Sequence, residues 1–323
     1  MDKPLVSVVA PVFNEQGALQ DLVNRILTAA LPLRGHYDFE ILLVDDGSRD
    51  GSWPIISELA RAHPGVRGLR FTRNFGHQAA LLAGLSAARG AAVITLDSDG
   101  QHPPEMIPEM LAKWREGALI VQGLRTAAAD QGPLKSWTSR AFYRIFSWLA
   151  GVQIPRGSAD FRLLDRRAVD LLLEHPNAAL FLRGFAPWTG FRTEYFSFEA
   201  RARRSGVSKY SPLRMIGLAR QGILRFSVAP LRLATLLGGG TCLLALAYMV
   251  YVVLIRLLTG SAVAGWASVA GLLGLLGGVQ LLVIGILGEY VGMIFEMQLG
   301  RPHYIVAQKA EAAPADRPAE GPR

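Results

Sequence analysis

The sequence predicts an α/β protein with a mostly parallel sheet, followed by two membrane-spanning helices. Over roughly the first 125 residues, short apolar runs alternate with amphipathic stretches, the pattern of parallel strands joined by crossover helices. Further along, residues 233–255 and 266–288 form two uncharged runs of 23 residues each. As helices, these runs would be about 34 Å long, enough to cross a hydrocarbon layer of about 30 Å.

The elements of the α/β part follow from these patterns in chain order. Short apolar runs bounded by turn-forming residues predict buried strands at 5–10, 39–44, 66–71, 91–96 and 119–123. Amphipathic or small-residue stretches between them predict helices at 15–30, 52–62, 77–88 and 104–117. The first of these helices would begin at Asn14, a residue type that favours helix N-termini.

The remaining chain divides by composition. Aromatic and basic residues alternate at helical spacing over 136–152, which suits either an interfacial helix or a helix packed on the domain core. We predict an α/β domain at 1–210, an amphipathic juxtamembrane helix at 211–230 and a two-helix hairpin at 231–292. A cytosolic segment at 293–306 and a disordered tail at 307–323 would follow, the tail being rich in Ala, Pro and charge.

The charge distribution predicts how the hairpin is oriented. Eight Lys and Arg residues and no acid lie between Arg201 and Arg232, whereas Arg256 is the one charged residue between Arg232 and Glu289. By the positive-inside rule, both flanks face the cytoplasm and the hairpin loop faces outward. The net charge of +8 is therefore assigned to the membrane and not to nucleic acid. We expect neither a signal peptide nor a disulfide, since the single cysteine, Cys242, lies in the first apolar run.

Three predicted strands end in polar segments, at 11–15, 45–48 and 97–99. Asp97 and Asp99 form a D-x-D pair that could hold one hard cation, although such a pair alone is more often an acidic turn before the next helix. Because neighbouring parallel strands end at one edge of a sheet, we expect the three segments to converge on a ligand. Of the six histidines, His63, His77, His102 and His303 share no ligand-like spacing, so a zinc site is not expected.

With these segments the chain resembles the family-2 glycosyltransferases with a GT-A fold. More narrowly, it resembles their polyprenol-phosphate branch, which includes dolichol-phosphate mannose synthases and bacterial undecaprenyl-phosphate glucosyltransferases. The resemblance covers about residues 5–306. Its motifs stand at 11–15 (PVFNE), 44–48 (VDDGS), 73–76 (RNFG), 97–105 (DSDGQHPPE), 160–165 (DFRLLD), 206–210 (GVSKY), 288–292 (GEYVG) and 301–304 (RPHY).

The resemblance implies roles for individual residues on the donor side. The donor nucleotide would be bound by Pro11, Asn14, Glu15, Asp45, Asp46 and Asp97. Mg²⁺ or Mn²⁺ would be held against the donor diphosphate by Asp97, Asp99 and Gln101. Many relatives carry an apolar residue at Gly100, a departure that affects the stiffness of the loop more than its chemistry.

The acceptor side follows in the same way. Arg125, Arg140 and Lys209 would hold the phosphate of a polyprenyl phosphate. That phosphate is already anionic, so attack on the sugar needs positioning and charge compensation more than a base. Asp160 and Asp99 would be the catalytic carboxylates, Asp160 orienting groups near the reaction or acting as a base. Arg162 could be the structural ion-pair partner of Asp160.

The resemblance implies an inverting transfer of one sugar from UDP-glucose to undecaprenyl phosphate, in cell-envelope glycan synthesis at an inner membrane. GDP-mannose with a dolichyl-type lipid is the alternative, and a homo-oligomer is compatible with the sequence. A processive polysaccharide synthase is disfavoured, because residues 181–232 contain no Gln-x-x-Arg-Trp motif. A non-catalytic nucleotide-sugar-binding protein is disfavoured because the acids at the strand ends are all present.

Overall fold

The computed structural model describes residues 3–126, 155, 157–175, 182–199, 229–259 and 265–312. The chain divides into two compact units. The first contains the sheet and its flanking helices, and the second contains two long apolar helices. The predicted helix at 136–152 lies outside the described residues, as does the one at 211–230 except for residues 229 and 230, which begin a long apolar helix.

The first unit is built on one mixed sheet. Within the described residues its strands are ordered β7-β5-β6-β4-β1-β2-β3-β8. The strands are β1 (Leu5–Val12), β2 (Asp38–Asp45), β3 (Val66–Phe71), β4 (Ala92–Thr95), β5 (Ile120–Arg125), β6 (Ser158–Asp165), β7 (Thr193–Phe198) and β8 (Val306–Ala310). β1 pairs in parallel with β2 and β4, as do β2 with β3 and β5 with β7. β6 and β8 run antiparallel to their neighbours.

Helices cover both faces of this sheet. The helices are α1 (Leu19–Ala30), α2 (Ser52–Ala62), α3 (His77–Ala87), α4 (Ile107–Arg115), α5 (Arg166–Glu174) and α6 (Leu182–Thr189). Val8 of β1 joins one core cluster with α1, α2 and α4, whereas Val9 faces a second cluster with α3, α5 and α6. Alternate residues of a strand point to opposite faces, so a strand buried on both sides is a continuous apolar run.

The predicted α/β fold class is confirmed, with differences at particular elements. The strand at 66–71 and the helix at 52–62 match the prediction residue for residue. The first helix begins at Leu19 and not after Asn14, because Asn14 has a left-handed φ of 57° and turns link it to Leu19. Such a φ is incompatible with a helical start but is tolerated by asparagine.

The expectation of disorder from residue 307 is wrong for its first residues. Val306–Ala310 form β8, an edge strand antiparallel to β3. An edge strand is held by backbone hydrogen bonds that any non-proline residue can make, so its composition carries little signal. Residues 313–323 lie outside the described residues.

The second unit contains α7 (Ala229–Thr259) and α8 (Trp266–Gln298), which pack against each other. Their segments Ala229–Leu258 and Gly271–Gln298 have mean hydropathies of 2.2 and 2.1, and the most apolar window of each has no buried residues. Leucines such as Leu257 and Leu258 are about four-fifths exposed, at 76% and 81%. Both helices are therefore candidate membrane spans by length and composition.

Candidate active site

The loop after β1 is fastened to the loop after β2. The backbone N–H of Asn14 donates to Ser48 Oγ at 2.9 Å, and Asn14 Oδ1 accepts from the Arg49 N–H at 2.8 Å. The N–H of Glu15 donates to Ser52 Oγ at 3.1 Å. The side chains of two predicted polar segments thus satisfy backbone groups across the edge of the sheet, and the two segments converge as expected.

Asp45, the last residue of β2, is fully buried beneath this edge. Its Oδ1 accepts from the Ser48 N–H at 2.8 Å, and its Oδ2 lies 3.3 Å from Arg70 Nε. Gly47 follows with a φ of 69°, and a Cβ there would lie 2.5 Å from the carbonyl carbon of Arg73. The turn therefore requires glycine at position 47. Asp45 links this turn, through Ser48, to Arg70 on β3.

Asp46 fixes the loop that leads into α3. Its carboxylate accepts from the Phe75 N–H at 2.7 Å and from the Gly76 N–H at 3.0 Å. Burial raises the pKa of Asp46, and the two backbone hydrogen bonds oppose that rise. The position of the Arg73–Gly76 loop therefore depends on a nearly buried carboxylate.

A pocket of about 510 Å³ opens above these loops, within the range of small-molecule sites. Its lining includes three arginines, Arg49, Arg70 and Arg73, and the guanidinium of Arg73 lies 4.1 Å from the centre of the Phe75 ring. The other lining residues are Phe13, Asn14, Gly47, Ser48, Phe71, Thr72, Asn74, Ala307 and Gln308.

The predicted donor-binding residues differ in whether they line this pocket. Asn14 lines the pocket. Pro11, Asp45 and Asp46 are buried and outside its lining, and Asp45 Oδ2 has no hydrogen-bond partner. Their part in donor binding stays a prediction. Glu15 is partly exposed beside Asn14.

The predicted catalytic carboxylate Asp160, on β6, meets Asp97 at one imidazole. His77 Nε2 lies 3.4 Å from Asp97 Oδ1 and 3.7 Å from Asp160 Oδ2. Asp160 Oδ1 accepts from Arg162 Nη2 at 2.9 Å. Arg162 is 1% exposed and also donates to the Leu182 carbonyl at 2.6 Å. Arg162 is thus the ion-pair partner of Asp160, and the pair holds this carboxylate facing His77.

The D-x-D loop itself is held by a buried histidine. The N–H of Asp97 donates to His102 Nδ1 at 2.9 Å, and the His102 ring stacks on Phe161 at 5.1 Å. Asp99 Oδ1 accepts from the Gln101 N–H at 3.0 Å across Gly100, which has a φ of 77°. The segment is therefore a structured turn, in which Asp97 lies beside His77 and Asp99 stabilises the turn toward Gln101.

A metal fit can be judged from these donor atoms. Asp97 Oδ1 is buried and has no hydrogen-bond partner, which leaves an oxygen available to a cation. Among the described residues, no group of three or more His, Cys, Asp or Glu side chains is arranged to hold a metal ion. A hard cation at Asp97 would therefore need its other ligands from elsewhere, for example from a phosphate and water, as Mg²⁺ commonly does.

The predicted acceptor residues are only partly described. Arg125 is exposed at the end of β5, and its N–H donates to the Gly157 carbonyl at 2.8 Å. Arg140 and Lys209 lie outside the described residues. The structure therefore places one of the three cations and leaves their grouping as a prediction.

Sequence reasoning missed His77 and Arg70. His77 is the first residue of α3, and Arg70 lies within β3, so neither belongs to a sequence motif that indicates a binding site. The available signal for His77 was its position directly after the RNFG segment and at the start of α3. Arg70 is on a strand whose neighbour ends in Asp45, so the register of β2 and β3 would have identified it.

Comparisons with known proteins identify the family of this chain. The family model for glycosyl transferase family 2 matches residues 7–184. An uncharacterized glycosyltransferase of Synechocystis sp. is 36% identical over 302 residues, covering 94% of this chain and 94% of that protein. The SfII prophage-derived bactoprenol glucosyl transferase of Shigella flexneri is 36% identical over 309 residues, covering 96% and 99%. Staphylococcus aureus TarS 1–349, solved with UDP-GlcNAc, is 18% identical with a TM-score of 0.48, covering 70% of this chain and 66% of that one.

The sheet, its acidic carboxyl edge and these relatives define a glycosyltransferase with a GT-A-like domain and two candidate membrane spans. The predicted enzyme class is confirmed. The chain belongs to glycosyl transferase family 2.

Proposed function

We propose that this enzyme transfers glucose from UDP-glucose to undecaprenyl phosphate, with inversion at the anomeric carbon. The observation that carries the proposal is that Asp97 and Asp160 both lie close to His77, directly after the loop that lines the cationic pocket through Arg73 and Asn74. Relatives named bactoprenol glucosyl transferase, 36% identical over nearly the whole chain, support the choice of lipid and sugar.

The donor is proposed to bind with its nucleoside in the pocket and its diphosphate toward the D-x-D turn. The arginines of the pocket supply charge-assisted hydrogen bonds to phosphate or ribose oxygens. Mg²⁺ or Mn²⁺, proposed to be held by Asp97, Asp99 and Gln101, would neutralise charge on the departing nucleotide. The loop hydrogen bonds at Asn14, Asp45 and Asp46 keep these groups in place before the donor arrives.

The reaction is proposed to be a single displacement. An oxygen of the lipid phosphate forms a bond to the anomeric carbon of the sugar, while the bond from that carbon to the nucleotide diphosphate breaks and UDP leaves. The lipid phosphate carries no proton that must be removed, so Asp160, fixed by Arg162, orients the reacting groups. Arg125, Arg140 and Lys209 are proposed to hold the acceptor phosphate.

The enzyme is proposed to act at the cytoplasmic face of an inner membrane. β8 follows α8 in sequence but belongs to the same sheet as β1 to β7. A chain that leaves this domain through one span and returns through a second ends on the side where it began. The basic stretch before α7 supports the cytoplasm as that side.

The test is a transfer assay with purified full-length protein, undecaprenyl phosphate, Mg²⁺ and radiolabelled nucleotide sugars. We expect lipid-extractable label from UDP-glucose, β-linked by NMR of the product. Label from GDP-mannose alone would replace the proposed donor, and no lipid product with any donor would refute the proposal. Asp99→Ala should abolish transfer, whereas Asp170→Asn, at a 57% exposed carboxylate on α5, should leave it unchanged.

A further inference from the structure

β8 lies at the edge of the sheet, yet it is reached along the chain only after both apolar helices. Its ladder pairs Leu69 with Lys309 and Arg70 with Gln308, and then shifts so that Phe71 pairs with Val306. Ala307 is therefore an extra residue opposite the step from Arg70 to Phe71. A bulge of this kind bends an edge strand and redirects its side chains, often beside a functional site.

Contacts on both sides of the bulge fix this strand. The Tyr304 ring stacks on Phe71, with centroids 5.1 Å apart and planes at 13°. The Thr72 N–H donates to the Ile305 carbonyl at 3.0 Å, and Arg67 Nε donates to Glu311 Oε1 at 3.0 Å. The segment that follows α8 is thus attached to β3 along its length, so the direction of its side chains is defined.

The bulge brings β8 into the wall of the pocket. Ala307 and Gln308 line it together with Asn14, Arg70 and Arg73. The Gln308 side chain is exposed, and its amide makes no hydrogen bond within the part of the chain that the structure describes. Lys309, the next residue, is exposed but does not line the pocket, as expected where successive side chains of a strand alternate.

We propose that Gln308 contacts the nucleobase of the donor. The arginines of the pocket can only donate hydrogen bonds, whereas the edge of a nucleobase presents both N–H donors and carbonyl acceptors. A carboxamide offers both kinds of group, and at Gln308 it is uncommitted. The inference rests on the proposed function in one respect, that the donor carries a nucleoside diphosphate. If Gln308 makes this contact, the donor site includes β8, a strand that follows both apolar helices in the sequence.

The experiment measures nucleotide binding without transfer. Full-length protein in detergent is titrated calorimetrically with UDP and with GDP, and thermal unfolding checks that each variant is folded. We expect Gln308→Ala to weaken UDP binding about fivefold to tenfold, the usual effect of losing one hydrogen bond of this type. The matched control Lys309→Ala, on the same strand, should stay within about twofold of the unsubstituted protein.

The outcomes separate this inference from the proposed function. Equal affinities for Gln308→Ala and Lys309→Ala, or equal losses in both, would overturn the contact, as would failure of the unsubstituted protein to bind either nucleotide. A Gln308-dependent affinity for UDP in a protein that makes no lipid-linked product would uphold the contact and refute the transfer. Gln308-dependent binding of GDP alone would uphold the contact and replace UDP as the proposed nucleotide.

Discussion

His77 joins two residues that are 63 positions apart in the sequence, Asp97 and Asp160. Two carboxylates this close to one point repel each other unless a donor or a cation lies between them. The imidazole of His77 lies within 3.7 Å of an oxygen of each, at the N-terminal end of α3 where the helix dipole also favours nearby negative charge. At the scale of single residues, the arrangement of the proposed reaction site therefore depends on this histidine.

We expect His77→Ala to lower the transfer rate by about 10-fold to 100-fold, the usual cost of removing a group that orients functional carboxylates. The thermal unfolding temperature should change little, because the imidazole is 42% exposed. Initial rates of lipid-linked product formation give the measurement. His63→Ala, beyond the last turn of α2, is the control. A fully active His77→Ala enzyme would show that the two carboxylates need no such partner.

Two acidic residues at the site, Asp45 and Asp46, are buried in the structure and accept hydrogen bonds from backbone groups of nearby loops. Asp45 and Asp46 look like ligand-binding carboxylates at a strand end, and the sequence does place them at the edge of the site. In the structure, Asp45 Oδ1 accepts the backbone N–H of Ser48, and the Asp46 carboxylate accepts those of Phe75 and Gly76. A carboxylate that is withdrawn from water needs such donors, and only the tertiary structure shows where they are.

At the scale of elements, α3 illustrates how small residues position the site. The helix sequence is HQAALLAGLSA, and a Cβ at Gly84 would lie 2.2 Å from Val9 Cγ1 on β1. The glycine therefore allows the helix to approach the sheet closely. Because His77 begins this helix, the packing at Gly84 also sets the distance of the imidazole from Asp97.

We expect Gly84→Ala to destabilise the protein by about 1–2 kcal/mol, although alanine is the better helix former. The helix propensity gained is about 1 kcal/mol, and overpacking a close contact costs about 1–3 kcal/mol, with further strain because Val9 is fully buried. Thermal or denaturant unfolding followed by circular dichroism provides the measurement. Ser86→Ala, exposed on the same helix, should be neutral or slightly stabilising. An unchanged stability for Gly84→Ala would mean that α3 can shift away from β1.

Sequence analysis did not predict the strands β6 and β8, because each depends on tertiary contacts. β6 contains Asp160 and Arg162, which are both buried, so the strand does not read as an apolar run. The two charges neutralise each other within the fold, and their pairing is a tertiary fact. β8 was expected to be disordered because of its composition, but it is held by backbone pairing to β3 and by Tyr304 against Phe71.

At the scale of the whole molecule, the sheet order constrains the path of the chain. β8 adds to a sheet whose other strands all precede α7 in sequence. If α7 and α8 both span a membrane, the residues before α7 and after α8 lie on one side of it, and the loop between them lies on the other. The excess of basic residues before α7 predicts that the shared side is cytoplasmic.

This path can be tested by labelling single cysteines with a membrane-impermeant maleimide in intact spheroplasts. In a Cys242→Ser background, we expect Ser261→Cys, between the two helices, to react without permeabilisation. Lys309→Cys, exposed on β8, should react only after the membrane is opened. Reaction of Lys309→Cys in intact spheroplasts, or failure of Ser261→Cys to react there, would contradict this path.

The sequence by itself determined the α/β class, most of the strands up to residue 125, the two apolar helices and the carboxylates at the strand ends. These are local properties, because a strand buried on both faces and a span in lipid each leave a continuous apolar run. The tertiary structure alone decided that Asp45 and Asp46 support loops, that His77 lies between Asp97 and Asp160, and that Gln308 reaches the pocket. These facts depend on contacts between residues distant in the chain, which no local pattern encodes.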